Sequence, residues 1–141
     1  MPIPKKLLAR KDEITNDFLK IYRAHLDELF AGKARHRLTS SGFAEKLFIH
    51  PGHLTNTLKL TTGKSPCDFM EEAIAAEACR LLAETDLSVA EIAMRFAYEE
   101  PTNFIRFFKV MVGKTPLQYK KSLETAFRLQ IDPRAGACQK F

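Results

Sequence analysis

The sequence lacks the segments that would take a chain into or across a membrane. It has no run of about eighteen apolar residues, the length that a membrane-spanning helix requires. Its basic start, residues 1–13, is not followed by the apolar stretch of a signal peptide. We therefore expect a cytoplasmic protein that makes no contact with a membrane.

Metal-ligating residues are few. The three cysteines, Cys67, Cys79 and Cys138, form no CxxC motif and no Cys/His pair at zinc spacing. His50 and His53 lie close together, but no third ligand is within sequence reach. We expect buried or idle thiols, histidines in turn and helix-surface positions, no metal and no cofactor.

Catalytic arrangements are missing as well. The histidines lie in different segments without consistent acid partners, so no Ser/His/Asp or Cys/His arrangement can be assembled. Paired carboxylates for acid–base catalysis are equally unsupported. The sequence therefore predicts that this protein is not an enzyme.

Two similar segments, TTGKSPCDFM at residues 61–70 and MVGKTPLQYK at residues 111–120, contain the Gly-Lys-Ser/Thr that closes a phosphate-binding P-loop. A P-loop needs another glycine five residues before the first one, so that backbone N–H groups can surround a phosphate. Leu58 and Phe108 occupy those positions, and no strand pattern precedes either. A nucleotide site is therefore excluded.

Composition and charge are those of a globular chain with a basic excess. The 141 residues are 45% apolar and 28% charged, and the net charge of +5 is compatible with a polyanionic partner. The excess lies at both ends: residues 1–40 hold nine basic and five acidic residues, and residues 113–141 hold six and two. Residues 41–112 hold seven and ten, so contacts with a polyanion there would need locally placed charges.

Apolar residues recur at three- and four-residue steps, and no segment has a convincing strand pattern, so we predict an all-α chain. An amphipathic helix is expected over residues 12–30 and a longer one over residues 67–85. Short helices are expected over residues 41–48, 51–60, 88–96 and 101–110, with one more after residue 115.

The repeated segments belong to a larger repeat. When Gly63 is aligned with Gly113, Pro51 matches Pro101, and an apolar stripe on one predicted helix matches the stripe on the other. Each unit then reads as two short helices joined by a tight turn, the helix-turn-helix arrangement. We expect each glycine to end the second helix with a positive φ. Ser65 and Thr115 would then cap the following helices, each with proline at the first position.

The chain resembles the DNA-binding domain of AraC/XylS-type transcription regulators over about residues 38–122. The most specific parts are LLAETDLSVAEIA at 81–93, NFIRFFK at 103–109 and GKTPLQY at 113–119. The resemblance implies seven helices in two helix-turn-helix subdomains, joined by a long linker helix that sets two recognition helices in successive major grooves about 34 Å apart. We divide the chain into a basic arm and amphipathic helix (1–37), a first subdomain (38–66), the linker helix (67–86), a second subdomain (87–124) and a C-terminal tail (125–141).

The resemblance also implies which residues contact DNA. The expected base contacts are Gly52, His53, Thr55 and Asn56 in the first recognition helix, and Thr102, Asn103 and Arg106 in the second. The expected phosphate contacts are Lys59, Lys64, Lys109 and Lys114.

The expected function is that of a sequence-specific regulator of transcription on double-stranded DNA. Regulators of this kind more often activate than repress, by touching RNA polymerase beside the promoter; the resemblance names no effector ligand. Because the resemblance to the family begins near Leu38, we expect either a compact regulator without a sensor domain or a piece of a longer regulator.

Departures from the family pattern leave an alternative open. Ala97 stands where the family has glycine, Asn56 where arginine is common, and Gly52 lacks a side chain that often reaches a base. The linker helix carries an acidic face, formed by Asp68, Glu71, Glu72, Glu77 and Glu84, which is either solvated or contacts a basic partner surface. The alternative function is a protein-interaction module of the same fold, which binds RNA polymerase or another regulator without reading DNA.

Overall fold

The computed structural model describes the backbone of residues 5–129 and the side chains of residues 10–126. This part of the chain folds into helices alone, which confirms the all-α prediction. The helices are α1 (Lys5–Phe30), α2 (Ser40–Lys46), α3 (Pro51–Thr62), α4 (Pro66–Glu84), α5 (Val89–Arg95), α6 (Pro101–Val112) and α7 (Pro116–Leu129).

Both terminal helices are longer than the sequence pattern indicated. Helix α1 begins at Lys5 rather than Asp12, because the good helix formers that precede Asp12 extend it. Helix α7 continues to Leu129, past the expected start of the tail at residue 125, since Ala126 is still buried. Residues 130–141 of the expected tail lie outside the described part.

The repeated Gly-Lys-Ser/Thr-Pro segment ends one helix and begins the next, as expected. Gly63 and Gly113 have φ values of 81° and 89°, a conformation that glycine adopts without a steric penalty. Ser65 forms a reciprocal capping box with Asp68, and the backbone and side chain of Thr115 bond Gln118 in the same way.

We call α2 and α3 the first unit, and α5 and α6 the second unit. Helix α4 packs against helices of both, and its Met70, Ile74 and Leu81 are buried. Phe96, Phe104, Phe108 and Tyr119 are fully buried around the second unit. A shared core therefore joins the two units through α4.

Helix α1 packs on the first unit and on α4. The Phe18 ring makes edge contacts with Phe43 and Phe69, at centroid distances of 5.1 and 5.4 Å. The Tyr22 hydroxyl donates a hydrogen bond to the Phe69 carbonyl at 3.0 Å. The N-terminal helix therefore completes the core of the first unit.

The loop between α1 and α2 is held by a buried histidine. His25 is 7% exposed, and its Nε2 accepts a hydrogen bond from the backbone N–H of Leu38 at 3.0 Å. Only an unprotonated Nε2 can accept this bond. Burial lowers the pKa of His25; Glu28 opposes this shift and Lys46 adds to it.

The turns of the two units differ in length. Phe48 in the first turn and Ala97 in the second have positive φ values of 57° and 62°. Two residues separate Phe48 from Pro51, whereas three separate Ala97 from Pro101. The positive φ at Ala97 gives a physical reason for the glycine that the family has there.

We expect Ala97→Gly to raise the free energy of unfolding by about 1 kcal/mol, because glycine adopts this backbone conformation without Cβ strain. Phe48→Gly should raise the free energy of unfolding by at least as much, since Phe48 is 95% exposed and its loss removes little packing. Urea unfolding measures both variants. Ala76→Gly, at an exposed site within α4, is the control and should lose about 1 kcal/mol. If neither turn variant has a higher free energy of unfolding than the wild type, the backbone at these positions is not strained.

The lowered pKa of His25 makes stability depend on pH. The folded chain holds His25 neutral, so its contribution is complete above the ordinary pKa of 6.5 and is lost as pH falls through the folded-state value. We expect a lower urea midpoint at about pH 5.5 than at about pH 7.5. His25→Gln keeps an acceptor that does not titrate and should show a smaller decrease. Equal decreases in both proteins would rule out His25 as the source.

Candidate nucleic-acid interface

Helix α3 of the first unit separates a buried side from an exposed side. Leu54, Thr57 and Leu58 are buried, and a polar stripe faces away from them. At the start of the helix, His50 Nδ1 accepts a hydrogen bond from the N–H of Gly52 at 3.0 Å. A Cβ on Gly52 would lie 3.2 Å from that nitrogen, so Gly52 leaves room for the histidine cap.

Helix α6 of the second unit has the same division. Phe104, Phe108 and Val112 are buried, and the opposite side is exposed. Its N-cap residue, Glu100, makes no side-chain capping bond, and Glu99 beside it is also exposed. The carboxylates suit the positive end of the helix dipole but would repel a phosphate.

The exposed stripes of α3 and α6 correspond residue by residue. Positions three and four apart share a helix face, and each stripe contains a polar pair, a lysine and an aliphatic residue. At an offset of fifty residues the matched pairs are His53 and Asn103, Asn56 and Arg106, Lys59 and Lys109, and Leu60 and Val110, all exposed.

The aliphatic members of these stripes were missed from the sequence. Leu60 and Val110 are 70% and 83% exposed, although the other large apolar residues of α3 and most of those of α6 pack in or against the core. The repeat carried a signal, since the offset that aligns Gly63 with Gly113 also aligns these two positions. Their exposure makes both available for apolar contacts with a partner.

The remaining expected base contacts are less uniform. Thr102 is exposed, whereas Thr55 is half-buried. Gly52 offers no side chain, and its N–H is engaged by His50. Asn103 also lines a cleft of about 510 Å³ between the α1–α2 loop, α4 and the second unit, which Arg37 and Tyr98 line as well.

The expected phosphate contacts fall into two groups. Lys59, Lys109 and Lys114 are exposed and form no ion pair within the described part of the chain. Lys64 differs, because its Nζ lies 2.5 Å from a carboxylate oxygen of Glu72. The two lysines of the repeated Gly-Lys segments therefore have different surroundings, which their identical motifs did not reveal.

The chain itself compensates part of the acidic face of α4. Arg80 binds the carboxylates of Glu77 and Glu84, the latter at 2.9 Å, and these bonds raise the pKa of its guanidinium. Glu72 is paired with Lys64. Intramolecular pairs therefore account for part of this face, while Asp68 and Glu71 stay exposed.

No group of three or more His, Cys, Asp or Glu residues that could hold a metal ion occurs among the described residues. The helices of that same part are also too short or too polar for any of them to cross a membrane.

The helix-turn-helix domain family matches residues 43–122. An uncharacterized HTH-type transcriptional regulator of Bacillus subtilis, YtdP, is 34% identical over 124 residues, which are 85% of this chain and 15% of that protein. Across three such B. subtilis regulators, this chain spans 15% to 36% of the relative's length.

Solved structures share the fold. The C-terminal domain of the response regulator yesN from Fusobacterium nucleatum superposes with a TM-score of 0.61 at 27% identity, covering 79% of this chain and 98% of that domain. The DNA-binding domain of AdpA, solved in complex with a target DNA, superposes with a TM-score of 0.65 over 77% of this chain and 93% of that one. At 19% identity, the AdpA likeness concerns the fold alone.

Proposed function

Because the chain belongs to the AraC-type helix-turn-helix family of transcription regulators, we propose that it reads double-stranded DNA with α3 and α6 in successive major grooves. The observation that carries the proposal is the matched pair of exposed stripes on these two helices. Two copies of one reading face in a single chain do what two subunits do in a dimeric repressor.

Helix α4 has a suitable length for this arrangement. Its 19 residues span about 28 Å at 1.5 Å per residue. Successive major grooves on one face of B-form DNA lie about 34 Å apart. The proposal keeps residues 38–66 and 87–124 as the two DNA-binding subdomains, joined by this helix.

Each residue expected to contact DNA has a role that its chemistry supports. In the first unit, Asn56 pairs with an adenine edge and His53 and Thr55 contact neighbouring groups, while Gly52 admits a close backbone approach. In the second unit, Arg106 binds guanine, with Thr102 and Asn103 beside it. Leu60 and Val110 would contact thymine methyl groups, and the lysines of both units would contact phosphates.

We expect Arg106→Ala to cost about 1–3 kcal/mol of binding to duplexes that the wild-type chain selects from a random library, and to relax the preference at one base pair. Gel shifts on the selected duplex and on its single-base variants measure both effects. Arg23→Ala, which removes an equal charge from an exposed site on α1, is the control and should keep the preference. An unchanged base preference in Arg106→Ala would remove Arg106 from the reading face.

The two Gly-Lys lysines should differ in their effect on salt dependence. We expect Lys114→Gln to reduce the slope of log affinity against log salt by about 0.9, the value for one lost phosphate contact. Lys64→Gln should reduce it less, because Glu72 already neutralises that ammonium group in the free protein. Titration of one selected duplex at several salt concentrations gives both slopes. Equal reductions would show that DNA displaces Glu72.

The proposal includes activation of transcription through contact with RNA polymerase beside the promoter, which rests on the family resemblance. Run-off transcription with purified polymerase on selected fragments tests this part, and less transcript in the presence of the chain would overturn it. A chain that binds polymerase but selects no duplex would instead be the interaction module of the same fold.

A further inference from the structure

The loop between α1 and α2 connects the first unit to the turn of the second. Arg37 Nη1 donates a hydrogen bond to the carbonyl oxygen of Phe96 at 2.7 Å. The Arg37 guanidinium also lies 3.7 Å from the centre of the Tyr98 ring, within the range of a cation–π contact. One side chain thus holds the residues on both sides of Ala97, which has the positive φ of the turn.

A second contact reaches the same turn from the end of α1. The Phe30 and Phe96 rings meet edge to face with their centroids 5.8 Å apart. Arg95 Nη1 donates a longer hydrogen bond, 3.4 Å, to the Phe30 carbonyl. The last turn of α1 and the loop after it therefore approach the second unit together.

The loop is also fixed to the first unit, so it can transmit a restraint. The N–H of Leu38, next to Arg37, donates to His25 on α1. The α2 N-cap, Thr39, follows at once, and its side chain accepts from Gly42 N–H at 3.2 Å. The backbone that follows Arg37 is therefore hydrogen-bonded to α1 and to the start of α2.

We infer that Arg37 is a positioning residue, which fixes the angle between the two units and so sets the separation of DNA half-sites that the chain accepts. The inference rests on the proposed function for its DNA consequence, but its structural part stands alone. Helix α4 sets the distance between the units. The Arg37 bridge restrains rotation of the second unit about that helix.

The structural part can be tested without DNA, by measuring the distance between the two reading faces. Spin labels on Leu60→Cys and Val110→Cys, both at exposed sites, would be placed in a chain with Cys67→Ser and Cys138→Ser. Double electron–electron resonance should give one narrow distribution of the distance between the two labels for the chain with Arg37 intact. Arg37→Ala should broaden or shift it, whereas Arg35→Ala, which removes an exposed neighbouring charge, should not.

The DNA part uses duplexes selected by the wild-type chain, each tested intact and with one half-site scrambled. Linking two modules raises affinity only where the geometry lets both bind together. We expect Arg37→Ala to reduce the advantage of the intact duplex over the scrambled one on the order of tenfold, with no greater loss on one half-site than Arg35→Ala shows. Arg35→Ala should lower both affinities alike, through charge alone.

Two variants of the ring separate the bridge from general destabilisation. Tyr98→Phe keeps the face on which Arg37 lies and should behave as the wild type in both assays. Tyr98→Leu removes that face and should resemble a milder Arg37→Ala. Circular dichroism would identify any variant that fails to fold, and Tyr98→Leu then serves in place of Arg37→Ala.

The outcomes distinguish the inference from the proposed function. If the wild type selects no duplex, the proposed function fails, while the label distances still test the bridge. If the distance distribution of Arg37→Ala matches that of the intact chain, the inference is overturned even where DNA binding is strong. Equal losses on one and two half-sites would also overturn it, because Arg37 would then act as a simple charge.

Discussion

The arrangement depends on the packing of two small units against one helix. Each unit has only two short helices, which cannot bury a core by themselves. Helix α4 supplies much of the missing surface, with Met70 buried near its start, Ile74 near its middle and Leu81 and Leu82 near its end. Because a packed interior resists deformation, this core sets the distance between the two units, and the Arg37 bridge adds the restraint on their angle.

The two units share a plan but not their surroundings. The first is completed by α1, whose Phe18 fills the space beside Phe43, whereas the second is completed by α7 through Tyr119. The same difference extends to the Gly-Lys segments, since Glu72 pairs with Lys64 while Lys114 is exposed and unpaired within the described residues. The duplicated motifs therefore give both units the same order of helices and the same end of the second helix, while neighbouring helices determine which lysines stay unpaired among the described residues.

Local signals account for what the sequence predicted well. Gly63 and Gly113 marked helix ends because positive φ favours glycine, and Ser65 marked a helix start because its hydroxyl caps a free N–H. The length of α1 was underestimated, since Asp12 is an acceptable interior residue as well as a start signal.

The remaining features depend on contacts between distant residues. The Arg37–Phe96 pair is 59 residues apart in sequence and the His25–Leu38 pair is 13 residues apart. Neither pair lies within one motif, and helical periodicity does not predict such contacts. The strained backbone at Phe48 was hidden for a related reason, because a bulky residue gives no sign of positive φ. The reading stripes lay between these extremes: their polar members followed from family spacing, while Leu60 and Val110 required the burial of their neighbours to be known.

A rigid connection between the units matters most because the first one offers few strong contacts. Gly52 has no side chain, and Asn56 stands where the family commonly has arginine, so α3 alone would bind weakly. In the proposed function, linking α3 to α6 would make the binding of α3 to DNA intramolecular, at an effective concentration that rises as the geometry becomes better defined. In the proposed function, the bridge from α1 and its loop would provide that definition, so the N-terminal helix would contribute to reading DNA although its own residues need not touch a base.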